Sequence, residues 1–142
     1  MIELLAPAGN PEALRGAVYA GADAVYFGAQ AFNARAEAGN FGPDELERAF
    51  SFCRTYGVKA YITLNTLVSD RELPDALALV DGLCALGGPD ALIVQDLGLA
   101  RLIHAHAPDF ALHASTQMTI HTLDGARQAR DIGFSRAVLS RE

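Results

Sequence analysis

The sequence has few cysteines, and this scarcity excludes several kinds of site. Only Cys53 and Cys84 occur in 142 residues, and they lie too far apart in the chain for the C-x-x-C spacing of metal and redox motifs. We therefore interpret both as small, buried, apolar residues in a reducing compartment. We expect no metal site built from this chain alone.

Positive charge is also scarce. The chain has 11 Lys and Arg residues against 17 Asp and Glu residues, which gives a formal net charge of −6. The basic residues are scattered, so the chain lacks the concentrated positive charge of proteins that bind phosphate backbones. No G-x-S-x-G, H-E-x-x-H, G-x-G-x-x-G or G-K-[ST] motif is present, which leaves no local signature of those enzyme classes.

Long hydrophobic runs are absent as well. No stretch approaches the eighteen apolar residues of a transmembrane helix, and the first residues, MIELLAPAGNPE, lack the basic region of a signal peptide. We expect a soluble, cytoplasmic protein that does not contact a membrane. With 51% hydrophobic residues, the chain can bury a core, and we predict a single domain over residues 1–142.

Six short runs of strand-forming residues alternate with amphipathic segments, which is the order of repeated βα units. Glycines at 21, 57, 87 and 133 fall where a helix would end. The predicted strands are Ile2–Pro7, Ala24–Gly28, Lys59–Asn65, Ala91–Gln95, Ala111–Ser115 and Arg136–Ser140.

Alternate residues of these strands differ in polarity, and this distinguishes between parallel-sheet folds. One set is apolar throughout, as in Val25 and Phe27. The other set becomes polar toward the end of each strand, as in Thr63, His113 and Ser115. A doubly wound sheet needs two apolar faces, whereas a (β/α) barrel opens into a site at the carboxyl ends of its strands.

We therefore predict an α/β fold that is a partial TIM-type barrel of about five and a half βα units. Eight units need roughly 250 residues, so we interpret the chain as the N-terminal segment of a longer barrel. A self-contained flavodoxin-like sheet is the alternative. The exposed edges of a partial barrel favour association into a homo-oligomer.

The stretch ALHASTQMTIHT at 111–122 concentrates polar side chains where the fifth strand ends. His113 and Ser115 share the inward parity, and Gln117 continues just beyond them. For His113 two interpretations stay open, a functional group at the rim of a cavity and a core histidine bonded to a backbone carbonyl. Ser115 is typical of a binding group and of a capping group.

A long connection separates the second strand from its helix. About fifteen residues lie between them, against a usual two to six, and Asn33, Arg35 and Asn40 offer hydrogen-bond donors there. Arg35 has the geometry to clamp a carboxylate through two parallel hydrogen bonds. The alternative is a compact loop packed by Phe32 and Phe41, with Arg35 in a surface ion pair.

Further polar residues follow other strands, and Glu142 is the sharpest acid or base candidate among them. Asp96 fits a helix cap better than a catalytic group. We predict His113 and Glu142 as catalytic residues. The predicted ligand-binding residues are Asn33, Arg35, Asn40, Asn65, Gln95, Ser115, Gln117 and Arg141.

Three stretches carry a family resemblance: ELLAPAGNPEALRGAVYAGADAVYFGAQAFNARAEAGNF at 3–41, LHASTQMTIHT at 112–122 and VLSRE at 138–142. The sequence resembles the N-terminal part of the peptidase U-32 family, the collagenase-like proteases. That resemblance implies a TIM-type barrel. The residues that match the family are Pro7, Gly9, Asn10, Tyr26, Gly28, Asn33, Arg35, Asn40, Phe41, His113, Ser115, Thr116, Gln117, Arg141 and Glu142.

The resemblance implies two kinds of activity, proteolysis and hydroxylation. Some members are described as proteases, and others hydroxylate tRNA or ribosomal RNA bases, with prephenate as an oxygen source, or hydroxylate ubiquinone precursors. The hydroxylating members carry a [4Fe–4S] cluster on cysteines that this chain does not contain, so we expect the chain alone to be inactive in that chemistry.

The favoured expectation is therefore the N-terminal barrel segment of an RNA-base or quinone hydroxylation enzyme. The alternatives are a collagenase-like protease and a ligand-binding barrel without enzymatic activity. A small carboxylate such as prephenate, under Asn33 and Arg35, is the expected ligand. RNA or peptide contacts would come from the rest of the protein.

Overall fold

The computed structural model describes residues 2–34 and 40–140. Strands and helices alternate along these residues, and the six strands form one parallel sheet in the order β1-β2-β3-β4-β5-β6. The strands are β1 Leu5–Pro7, β2 Ala24–Gly28, β3 Lys59–Leu64, β4 Ala91–Val94, β5 Ala111–Ala114 and β6 Phe134–Ala137. The helices are α1 Pro11–Tyr19, α2 Pro43–Tyr56, α3 Leu73–Ala85, α4 Leu97–His106 and α5 Leu123–Ile132, and a 3₁₀ turn spans Thr116–Met118.

Local sequence sets the ends of the helices. The backbone N–H of Ala13 donates to Asn10 Oδ1 at 2.8 Å and so caps α1, because the first N–H groups of a helix have no partner within it. Gly57 and Gly133 follow α2 and α5 with φ of 68° and 119°, a conformation that costs glycine little. The glycine positions predicted to end helices are thereby confirmed.

The two faces of the sheet have different surroundings, as the parity of the strands predicts. Val25, Ile62, Leu92 and Leu112 belong to a large core that includes the buried residues of all five helices. The opposite face holds a small cluster formed by strand residues, centred on Tyr61 and Ile93. All helices therefore cover one face, which confirms a partial barrel rather than a doubly wound sheet.

The first and last strands differ from their predicted bounds. Strand β1 starts at Leu5, where the parallel ladder with β2 begins opposite Ala24. Ile2, in the predicted strand, is 95% exposed. Strand β6 starts two residues earlier than predicted, at Phe134, whose buried ring enters the core opposite Leu112. A turn glycine directly before Phe134 lets the strand begin at once.

The two cysteines have different environments, which corrects the prediction that both are buried. Cys53 is buried on the inner side of α2, whereas Cys84 is exposed on α3. Burial raises the pKa of the Cys53 thiol to about 11, and the thiolate is the reactive form. Among the described residues, no helix combines the length and the apolar character needed to cross a bilayer.

We expect a maleimide reagent to modify Cys84 within minutes in the native protein and to modify Cys53 only after unfolding, because reactivity follows exposure and thiolate content. Intact-protein mass spectrometry measures this directly. The matched control is Cys84→Ser, which should show no native labelling. Addition of two labels to the native protein would contradict the burial of Cys53.

Candidate functional site

A cavity of about 350 Å³ opens on the inner face of the sheet, at the carboxyl ends of the strands. Leu5, Tyr26 and Ile93 form its apolar wall. Among the described residues, its lining contains no Asp, Glu, Lys, Arg or His. The polar side chains of the lining are Asn33, Asn40, Thr63, Asn65, Ser115, Thr116 and Gln117.

Asparagines fasten the connection between β2 and α2 at the pocket. Asn33 is 4% exposed, and its Nδ2 donates to the carbonyl of Ala29 and to Asn40 Oδ1. Asn65, directly after β3, accepts a hydrogen bond from the N–H of Ala34 at 3.1 Å. Three of the predicted ligand-binding residues therefore lie together, and part of their hydrogen-bonding capacity orders the pocket wall itself.

Close packing under this connection depends on Gly28, the last residue of β2. A Cβ atom at Gly28 would lie 2.7 Å from Cγ of Asn33, well inside van der Waals contact. The carbonyl of Gly28 also accepts from the N–H of Phe41 at 3.1 Å. The absence of a side chain at position 28 lets the two ends of the connection meet over the strand.

The end of β5 forms the opposite wall. Ser115 Oγ accepts from the N–H of Gln117 and caps the short 3₁₀ turn. Gln95 Nε2 donates to the carbonyl of Gln117 at 3.4 Å, which links the end of β4 to the 3₁₀ turn after β5. Gln117 and Ser115 line the cavity, whereas Gln95 supports it from beside the lining.

Two residues with strained backbone lie close to the ends of β2 and β5, which we call the rim of the cavity. Of the described residues other than glycine, two have positive φ, Phe32 at 58° and Thr119 at 57°. This conformation is unfavourable for a β-branched residue such as threonine. Phe32 precedes Asn33, and Thr119 ends the 3₁₀ turn that carries Gln117. Strain of this kind is concentrated at functional sites, which supports the assignment of the rim as the site.

His113 lies in the barrel interior, outside the cavity lining. Its side chain is buried, at 6% exposure, and its ring packs edge-on against Tyr61 with 4.8 Å between centroids. Burial and then the neighbouring Arg136 lower its pKa to about 4, so the ring is neutral at pH 7. A catalytic role for His113 stays a prediction, as do the ligand contacts of the rim residues.

Arg35, Arg141 and Glu142, which the sequence also nominates, lie outside the described residues. Among the lining residues that the predicted site left out are Tyr26 and Thr63, although both share the inward parity that selected the others, and Thr116 in the turn after β5. Glu3 and Arg136 were also missed, and they meet on the inner face. No local pattern identifies that pair, because 133 positions separate the two residues.

The described residues do not fit a [4Fe–4S] cluster. Within 2–34 and 40–140, no group of three or more His, Cys, Asp or Glu side chains could hold a metal. Cys53 and Cys84 lie on different helices, one buried and one exposed, whereas such clusters are held by several cysteine thiolates.

Asp96 acts as a helix cap, in agreement with the favoured interpretation of the sequence. Its Oδ1 accepts from the N–H of Leu99 at 2.8 Å. We expect Asp96→Ala to lower the free energy of unfolding by about 1 kcal/mol, measured by urea denaturation. Asp96→Asn, which keeps the acceptor oxygen, is the matched control and should lose less. Equal losses in both variants would contradict the capping role.

The fold and the pocket together define an α/β barrel protein with a cavity at the carboxyl ends of its parallel strands. Residues 9–142 match the profile of Peptidase family U32. The chain belongs to that family.

Relatives of different activities resemble the chain over most of its length. It is 44% identical over 141 residues to the 23S rRNA 5-hydroxycytidine C2501 synthase of Escherichia coli, covering 99% of this chain and 21% of that protein. It is 37% identical to the tRNA hydroxylation protein P1 of Bacillus subtilis, covering 99% and 33%. It is 35% identical over 126 residues to a collagenase of Porphyromonas gingivalis, covering 88% and 30%. The chain thus spans about a third or less of the length of these relatives.

Solved structures agree on the fold. The U32 peptidase Mk0906 superposes with a TM-score of 0.80 at 14% identity, over 98% of this chain and 58% of that one. The deoxyribose phosphate aldolase of Aeropyrum pernix gives a TM-score of 0.71 at 16% identity, over 98% and 64%. At such identities the likeness concerns the fold alone.

Proposed function

We propose that the protein takes part in hydroxylation of an RNA base, and that this barrel segment supplies the pocket for a small ligand of that reaction. One observation carries the proposal: a cavity lined, among the described residues, by amides, hydroxyls and an aromatic ring without a charged side chain. The similarity to an rRNA hydroxycytidine synthase and to a tRNA hydroxylation protein supports it.

The lining chemistry suits a nucleobase. Enzymes that modify a base extrude it into a pocket, where they bind its edge through hydrogen bonds and its face through stacking. Amide side chains offer both donors and acceptors for such an edge. Asn65 uses Oδ1 for Ala34, which leaves Nδ2 to face a ligand. Tyr26 offers an aromatic surface, and the volume falls within the range of about 300–1,000 Å³ for ligand pockets.

A small carboxylate of the prephenate type is the second ligand that we propose for this pocket. The amide N–H groups of Asn65 and Gln117 are suitable donors to a carboxylate, and Arg35 is its proposed charged partner. The [4Fe–4S] cluster belongs to the same proposal, held by residues beyond the two cysteines of this chain. Both groups are expectations from the family.

The test is a deletion strain of the host organism. Nucleosides from its rRNA and tRNA are separated and identified by mass spectrometry. We expect one hydroxylated nucleoside to disappear, to return with the wild-type gene and to return only partly with Asn65→Ala. Glu12→Gln, an exposed change on α1, is the control and should restore it fully. An unchanged nucleoside profile would overturn the proposal.

Peptide hydrolysis is the alternative, and the described geometry gives it less support. A serine protease needs a nucleophile that is hydrogen-bonded to a histidine, which a carboxylate orients. Ser115 Oγ instead accepts from a backbone N–H, and His113 packs against Tyr61. Incubation of the intact protein with gelatin, with and without a reconstituted cluster, decides between the two. Cleavage without the cluster would favour the protease.

A further inference from the structure

Charged and aromatic side chains meet on the inner face, toward the amino ends of the strands. We propose that Glu3 and Arg136 are positioning residues that hold the β1 wall of the ligand pocket in place. The assignment depends on the proposed function only in that the wall belongs to the proposed pocket.

Glu3, which precedes β1, accepts hydrogen bonds from side chains on two strands. Arg136 Nη1, on β6, donates to Glu3 Oε1. On β3, the hydroxyl of Tyr61 lies 3.0 Å from both carboxylate oxygens, and Lys59 Nζ lies 3.4 Å from Oε2. Hydrogen bonds to charged groups are stronger than neutral ones. The Glu3 carboxylate therefore links the segment before β1 to β3 and to β6.

An irregularity in β6 directs Arg136 to this point. Leu112 pairs with Phe134, but His113 pairs with Arg136, so Ser135 is an extra residue between them. A regular ladder would place Ser135 opposite His113 and turn Arg136 toward the helices. The bulge instead places the guanidinium carbon 5.6 Å from the centre of the Tyr61 ring, within the range of a cation–π contact.

The anchored segment is short and carries part of the pocket. Strand β1 has three residues, and among the described strands it pairs with β2. Leu5, Pro7, Ala8 and Gly9 all line the cavity, and Glu3 precedes them by two residues. The ladder and the hydrogen bonds of Leu4 to Asp23 and Ala24 hold this segment against β2 and the residue before it. We infer that the Glu3 contacts fix where the wall stands relative to β3 and β6.

Hydrogen exchange in the intact protein tests the inference without any ligand. In Glu3→Gln, we expect the Ala8 amide, which donates to the Tyr26 carbonyl, to exchange about tenfold faster, the scale of losing one charge-assisted hydrogen bond. Amides of β4 should change much less. Tyr61→Phe removes a single donor and should give a smaller increase at the same amides.

Two further variants complete the design. Arg136→Lys retains the charge and should recover part of the protection that Arg136→Gln loses. Glu12→Gln, which breaks an exposed ion pair with Arg15 just after β1, should leave exchange unchanged. Unaltered exchange at Ala8 in Glu3→Gln, or an equal increase in β1 and β4, would overturn the inference. A failed nucleoside test would overturn the proposed function and leave this result standing.

Discussion

Replacing Gly28 by alanine is expected to lower the free energy of unfolding by about 2 to 4 kcal/mol, through overpacking and loss of buried hydrogen bonds. The new methyl group would lie 2.7 Å from the side chain of Asn33. Asn33 cannot move away without breaking its hydrogen bonds to Ala29 and Asn40. The pocket wall should shift with it, so ligand affinity should fall as well.

The measurement is urea denaturation, with Gly82→Ala as the matched control. Gly82 lies within α3, where an added methyl group would meet no side chain within 4 Å, so alanine there should be neutral or stabilising by about 0.5 to 1 kcal/mol. Asn33→Ala removes the side chain that the new methyl group would meet. In that variant, Gly28→Ala should therefore lower the free energy of unfolding by less than it does in the wild type. Unchanged stability of Gly28→Ala alone would show that the packing is not as tight as described.

Acidification from pH 7 to pH 4.5 should destabilise the protein through His113, by up to about 3 kcal/mol at its full extent. Burial, followed by the charge of Arg136, lowers the pKa of His113 from 6.5 to about 4. Between those two values the unfolded chain binds a proton at this residue and the folded chain does not. The free energy of unfolding therefore rises with pH between 4 and 6.5. Above 6.5 His113 no longer lowers it, and near pH 4 the loss caused by His113 approaches its full extent.

His113→Phe tests this origin, because it keeps an aromatic ring against Tyr61 and removes the titrating group. The free energy of unfolding, followed by urea denaturation at several pH values, should then depend less on pH. His121→Gln removes an exposed histidine whose ring is hydrogen-bonded to the nearby Thr119 carbonyl, and this variant should retain the wild-type dependence of the free energy of unfolding on pH.

The other charged groups near His113 are Glu3, Lys59 and Arg136. The pKa of Glu3 is lowered from 4.5 to about 2, chiefly by Arg136, so its own effect on stability is lost between these values, mostly below the His113 window. An identical pH profile in His113→Phe would contradict the prediction.

The polar rim was predictable to different degrees. Asn65 and Ser115 directly follow β3 and β5 and continue their inward parity, whereas Gln117 lies in the 3₁₀ turn after β5; all three line the cavity. Gln95 has the same parity but supports the rim from outside the lining, because its side chain bonds a neighbouring turn. His113 also has the parity, yet Tyr61 covers it in the interior. Parity gives the face on which a side chain lies but not its depth in the barrel.

Sequence alone determined the order of strands and helices, the glycines that end helices and the difference between the two faces of the sheet. These features follow from periodicity and backbone preference, which act over a few residues. Only the tertiary structure decided the packing of Asn33 over Gly28, the exposure of Cys84 and the meeting of Glu3 with Arg136 across 133 positions. The contact of Glu3 with Arg136 depends on the bulge in β6, the Asn33 packing depends on the hydrogen bonds that hold the connection after β2, and the exposure of Cys84 depends on which face of α3 meets the sheet. No periodicity in the sequence encodes these arrangements.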